Sequence, residues 1–105
     1  MAQFDVFRNP GRQRETIPYV VVLQNARFDR GRTRFVAPLI RAELIAVDLH
    51  ALAPRFTIEG HAVIMDVFNL ATLSRDQLGP PIASLSDDES RSKLIRALDE
   101  LVAQG

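Results

Sequence analysis

Two histidines, His50 and His61, lie close in sequence to Asp48, Glu59 and Asp66, so two imidazoles and a carboxylate suggest a metal site. The spacing argues against it. No His-x-x-x-His pair places both rings on one helix face, and nothing fixes a third ligand. Exposed histidines beside turns are the simpler reading. Nucleophilic chemistry has no better support. Ser74, Ser84, Ser86 and Ser90 stand in or beside expected loops, with no Gly-x-Ser-x-Gly context and no neighbouring base. Asp87 and Asp88 make an adjacent carboxylate pair, but acids in the first turn of a helix are stabilised by its dipole. The glycines are scattered singly and build no phosphate-cradling loop. No catalytic residue, metal or cofactor is assigned, and the chain is not expected to be an enzyme.

One cluster carries a different chemistry. Arg27, Arg30, Arg32 and Arg34 fall within eight residues, with Phe28 and Phe35 interleaved. Guanidinium groups suit phosphates or carboxylates, and aromatic rings between them offer stacking surfaces. The wider charge pattern agrees: residues 1–41 hold eight arginines against three acids, and residues 42–105 hold five basic groups against ten acids. An Arg-rich half fits an acidic partner. Zero net charge and the absence of a nucleic-acid motif disfavour direct nucleic-acid binding. Phe35 is assigned to the core, and an acidic protein segment is the expected partner.

The elements that position these residues are short strands. Phe4 and Val6 flank Asp5 as a first strand, and Asn9-Pro10-Gly11 turns the chain. Tyr19–Leu23 is β-branched and continuous, as in a strand buried on both faces. Asp29-Arg30-Gly31 turns it into a second strand over Thr33–Ala37, giving a hairpin. Leu39–Leu49 fits a helix or a strand equally, and Leu52-Ala53-Pro54 ends it. Phe56–Ile58 is a strand closed by Glu59-Gly60. Ala62–Leu70 continues in β-compatible residues, and Asp76–Pro81 is a loop. Ser86-Asp87-Asp88-Glu89 has the form of a capping box opening a helix over residues 87–103. Leu94, Ile95, Leu98, Leu101 and Val102 supply its apolar stripe.

The sum is a mainly β domain of residues 1–105 with a terminal helix packed on a strongly bent or barrel-like sheet. At 105 residues one hydrophobic core is affordable. Without cysteine there is no disulfide framework, which suits a reducing cytoplasm. No stretch approaches the ~20 apolar residues that span a bilayer, and the first residues lack a signal-peptide core. A soluble, cytoplasmic protein is expected. The apolar runs at Ala62–Leu70 and Leu94–Val102 exceed what a chain this small covers alone, so a homodimer is expected too.

Set in order, several segments resemble the CcdB family of bacterial toxins from type II toxin–antitoxin systems. They are Gln3-Phe4-Asp5-Val6-Phe7, Val20-Val21-Val22-Leu23-Gln24, Arg34-Phe35-Val36-Ala37-Pro38-Leu39, Leu52-Ala53-Pro54, Met65, Leu70-Ala71, Ala83-Ser84-Leu85-Ser86, and Ile95-Arg96-Ala97-Leu98-Asp99. The resemblance covers nearly the whole chain. It implies a small SH3-like barrel with a three-stranded wing and a C-terminal helix, assembled as a homodimer. It also implies a toxin without an active site or cofactor, which poisons DNA gyrase through the A subunit and is neutralised by a CcdA-like antitoxin with a disordered tail. Gyrase-contact positions carried over from the resemblance are Arg27, Phe28, Asp99, Ala103, Gln104 and Gly105. Arg30, Arg32 and Arg34 are the antitoxin-contact candidates, chosen for their charge. Gyrase-poisoning members end in Trp-Gly-Ile, where this chain has Ala103, Gln104 and Gly105 and no tryptophan anywhere. Two alternatives therefore stand beside gyrase poisoning: a CcdB-fold protein that has lost it, and a MazF-like ribonuclease toxin on the same barrel.

Overall fold

A computed structural model describes residues 3–24, 31–45 and 53–103, with side chains as far as residue 100. Seven antiparallel strands form a nearly closed barrel: β1 (Asp5–Arg8), β2 (Tyr19–Val22), β3 (Thr33–Arg41), β4 (Arg55–Ile58), β5 (His61–Met65), β6 (Ala71–Ser74) and β7 (Ala83–Ser84). One helix, α1 (Asp88–Ala103), ends the described chain. The sheet runs β4-β5-β3-β2-β1-β7, and β6 joins it as a branch on β3.

β3 is the hinge of this plan. Its nine residues outrun any single neighbour, so it pairs with β6 over Thr33–Val36 and with β5 over Leu39–Arg41. β2 covers its other edge from Val36 to Leu39. All four residues of β2 are buried, as expected for a strand covered on both faces. Tyr19 and Val21 enter the barrel core with Phe4, Val6, Leu39, Ile58, Met65 and Leu94. Val20 and Val22 face a second, smaller core with Phe7, Val36 and Leu78. A third patch joins Ala42, Ala53 and Ile64. The expected β2–β3 hairpin is present, although its turn at residues 25–30 lies outside the described residues.

Several expectations are corrected. The ambiguous Leu39–Leu49 segment is strand as far as Arg41 and then a 3-10 turn over Ala42–Leu44; residues 46–52 lie outside the described set. Ala62–Leu70 is not one run. β5 stops at Met65 because the Asp66 carboxylate accepts the Phe68 N–H (3.0 Å) and the Asn69 side-chain amide (2.6 Å), turning the chain into β6. The helix cap is Asp87 rather than Ser86. The Asp87 carboxylate accepts the Ser90 N–H at 3.1 Å, its carbonyl accepts the Arg91 N–H, and the Ser86 hydroxyl bonds Ser84 instead. Those bonds from Ser90 hold the Asp87 carboxyl below its ordinary pKa.

α1 lies on the barrel through Leu94 and Ala97, with Leu98 alongside, while Ile95 is 39% exposed and sits off the buried stripe. Two cations fasten it further. The Arg91 guanidinium lies 5.5 Å over the Phe4 ring, and the Lys93 ammonium lies 4.9 Å over the Phe56 ring while donating to the Arg55 carbonyl at 2.6 Å.

Candidate interaction surface

The arginine cluster divides sharply in space. Arg32 is exposed, and its carbonyl accepts the Arg75 N–H (2.7 Å), which ties the start of β3 to the turn after β6. Arg34 is 1% exposed. Its Nη1 donates to the carbonyls of Gly31 (2.6 Å) and Thr33 (2.9 Å), so the guanidinium braces the strand entry from within. A buried cation needs such acceptors, because desolvation otherwise costs several kcal/mol. Arg34 is thus removed from the surface candidates, and Arg32 is the described arginine of the cluster that faces solvent.

Phe35 reverses in the opposite sense: assigned to the core by its hydrophobicity, it is 42% exposed. Strand alternation explains both corrections. Arg34 and Val36 share the face turned to the small core, so Phe35 must point the other way, at a level where β3 has run past the barrel wall. Its backbone is fixed. The Phe35 N–H donates to Gln24 Oε1 (2.7 Å), and its carbonyl accepts the Leu23 N–H (2.9 Å). The hairpin stem is therefore anchored on both strands, while Arg27, Phe28 and Arg30 lie outside the described residues.

Of the candidates on the helix, Asp99 is exposed and Ala103 is the last helical residue; Gln104 and Gly105 lie outside the described set. Asp99 rides on α1 and Arg32 stands immediately before β3, so the two candidate surfaces rest on separately anchored elements.

Two features escaped the sequence reading. An apolar groove of about 230 Å³ runs between Ile40, Leu44, Ile45, Ala53, Ile64 and Phe68. Leu44 and Phe68 are 57% and 58% exposed on it. The other is a tie across the barrel end. Tyr19 OH donates to Glu59 Oε1 (3.0 Å), and Arg8 Nη2 donates to Glu59 Oε2 (2.9 Å). Glu59 occupies the left-handed region (φ +52°) beside Gly60 (φ +81°), completing a two-residue turn between β4 and β5. Burial, then the bond to Glu59 and the charge of Glu59, raise the Tyr19 hydroxyl above its ordinary pKa. The Glu-Gly turn was legible; the distant partners of Glu59 were not.

His61 is exposed at the start of β5, whereas His50 and Asp48 lie outside the described residues. Among the described residues no three His, Cys, Asp or Glu side chains converge on a common point. None of the described helices is long and apolar enough to cross a membrane. The arrangement offers anchored strands, two exposed rings in Phe35 and Phe68, and separated charges, which is equipment for contact.

The family model described as CcdB protein matches residues 3–104, so the chain belongs to the CcdB family. No curated protein matches it.

Proposed function

We propose, from membership of the CcdB family, that the chain is the toxin of a toxin–antitoxin pair, which binds and inhibits DNA gyrase and is neutralised by a cognate antitoxin. The family match over residues 3–104 is the observation that carries this reading. The bent barrel with an anchored terminal helix supports it, because a helix held at Asp87, Lys93 and Leu94 projects its last turn at a fixed angle. In this reading Arg27, Phe28, Asp99, Ala103, Gln104 and Gly105 form the gyrase surface. An acidic, disordered antitoxin segment meets Arg30 and Arg32. Two copies pair in the bacterial cytoplasm, and the exposed Leu44 and Phe68 give the dimer apolar area to cover. Plasmid maintenance by post-segregational killing is the corresponding physiological role.

A second reading rests on the sequence at the tail. A buried aromatic anchor contributes several kcal/mol to an interface, and Ala103-Gln104-Gly105 replaces one with little apolar area. In that reading the fold and the antitoxin are retained and gyrase is no longer the target. Purified gyrase separates the two. The unmodified chain is expected to trap little linear DNA. The triple variant Ala103→Trp, Gln104→Gly, Gly105→Ile is expected to raise trapping by roughly a hundredfold in effective affinity. Trapping by neither protein, together with RNA cleavage on induced expression, replaces gyrase by a ribonuclease activity; trapping by neither without toxicity leaves a protein that has lost its target.

A further inference from the structure

The main path of the sheet ends at β4 and β7, with β6 a branch on β3, and among the described residues no hydrogen bond joins the two ends. Between them lies a groove of about 470 Å³, lined by Arg55 and Thr57 of β4, Ser84 of β7, and Asp87, Glu89 and Lys93 at the start of α1. The buried side chains of Phe56 and Leu85 also line it. It is the open seam of the barrel.

The register shows which backbone groups face the seam. Ile58 pairs with His61 across the two-residue turn, and the Met65 N–H donates to the Pro54 carbonyl. Residues 54, 56 and 58 therefore direct their backbone groups to β5, and residues 55 and 57 direct theirs outward. The Arg55 carbonyl confirms the phase, since Lys93 reaches it from outside the sheet. On the other side the Leu85 N–H donates to the Phe4 carbonyl, so Ser84 is the residue of β7 whose backbone faces away from β1. Arg55 and Lys93 have no carboxylate within 4.0 Å among the described residues: Lys93 donates to a neutral carbonyl, lies over a ring, and acts on the Asp87 carboxylate of the same groove only through its charge at longer range. Asp87 is already engaged by the helix start.

We propose that this seam is a strand-addition site: an extended segment of a partner protein, bearing an acidic side chain, pairs with the outward backbone of Arg55 and Thr57 and sets its carboxylate against Arg55 and Lys93. Unpaired sheet edges recruit extended peptides through the main chain, with side-chain pockets adding specificity. The Lys93 ammonium gives up the Arg55 carbonyl to the incoming strand and takes the carboxylate in its place, so that both partners of its hydrogen bond are charged. Arg32 does not line the seam, and the proposal does not depend on gyrase being the target.

The probe is a library of random short peptides displayed on phage and selected against the whole chain. Selected peptides are expected to carry Asp or Glu, to slow amide exchange at Arg55 and Thr57, and to bind about tenfold more weakly to Lys93→Glu. Thr57→Pro removes an outward N–H without touching the β4–β5 ladder, so it is expected to keep the melting temperature and lose peptide binding. If Thr57→Pro fails to fold, amide exchange in the unmodified chain and the Lys93→Glu comparison decide. Protection confined to other strands overturns the proposal. So does unchanged binding by both variants, or a selection that yields no binder.

Discussion

The two halves of β3 put one strand to opposite uses. From Ala37 to Arg41 it is barrel wall: Ala37 and Leu39 are fully buried in the main core, and Met65 pairs with Leu39 from β5. From Thr33 to Val36 it is a wing: β6 flanks it, a cation is buried on one face and a phenyl ring is exposed on the other. Both halves alternate with the same period of two. What differs is which face has something to cover it, and that is decided by β6, Leu73 and Leu78, tens of residues away in sequence. Periodicity therefore reveals that a strand has two faces; only the fold reveals which face is inside.

Substitutions along this strand test the contrast, beginning where the effect is greatest. Leu39→Ala empties a fully buried barrel position and is expected to cost about 2–5 kcal/mol in chemical denaturation. A cost below about 1 kcal/mol would mean the wall half is no better packed than the wing. Arg34→Met keeps the stem of the side chain but deprives the Gly31 and Thr33 carbonyls of their donor. An expected loss of about 1–3 kcal/mol places it between wall and surface. A neutral result would show that the guanidinium contributes nothing net once its desolvation is counted. Phe35→Ser is expected to change stability by no more than about 0.5 kcal/mol. A loss comparable to that of Leu39→Ala, appearing only at concentrations where two copies associate, would identify Phe35 as covered by a partner subunit.

What was legible in the sequence follows the same line. The β-branched run Tyr19–Val22 announced a doubly covered strand, because only such a strand tolerates apolar residues at both parities. The terminal helix was legible from its acids and its apolar spacing, although Asp87 took the capping place over Ser86, two competent residues one position apart. β6 and β7 were not legible, since four residues and two residues carry too little pattern and exist only because β3 and β1 offer them edges. Of the candidate site, Arg32 is exposed, as a contact residue must be, while the removal of Arg34 depended on carbonyl partners that no residue type announces.

The fastening of α1 to the barrel has a chemical corollary. Lys93 is the single lysine of the chain; the other twelve basic side chains are arginine. Its ε-amine is therefore the only side-chain amine available for acylation or reductive alkylation. Acetylation there would erase the positive charge, weaken the hold on the Arg55 carbonyl and dissolve the attraction to the Phe56 ring. Among the side chains, an amine-directed label on this protein thus falls on the clasp between helix and barrel, and the reactivity of that one ε-nitrogen measures how often the clasp is open.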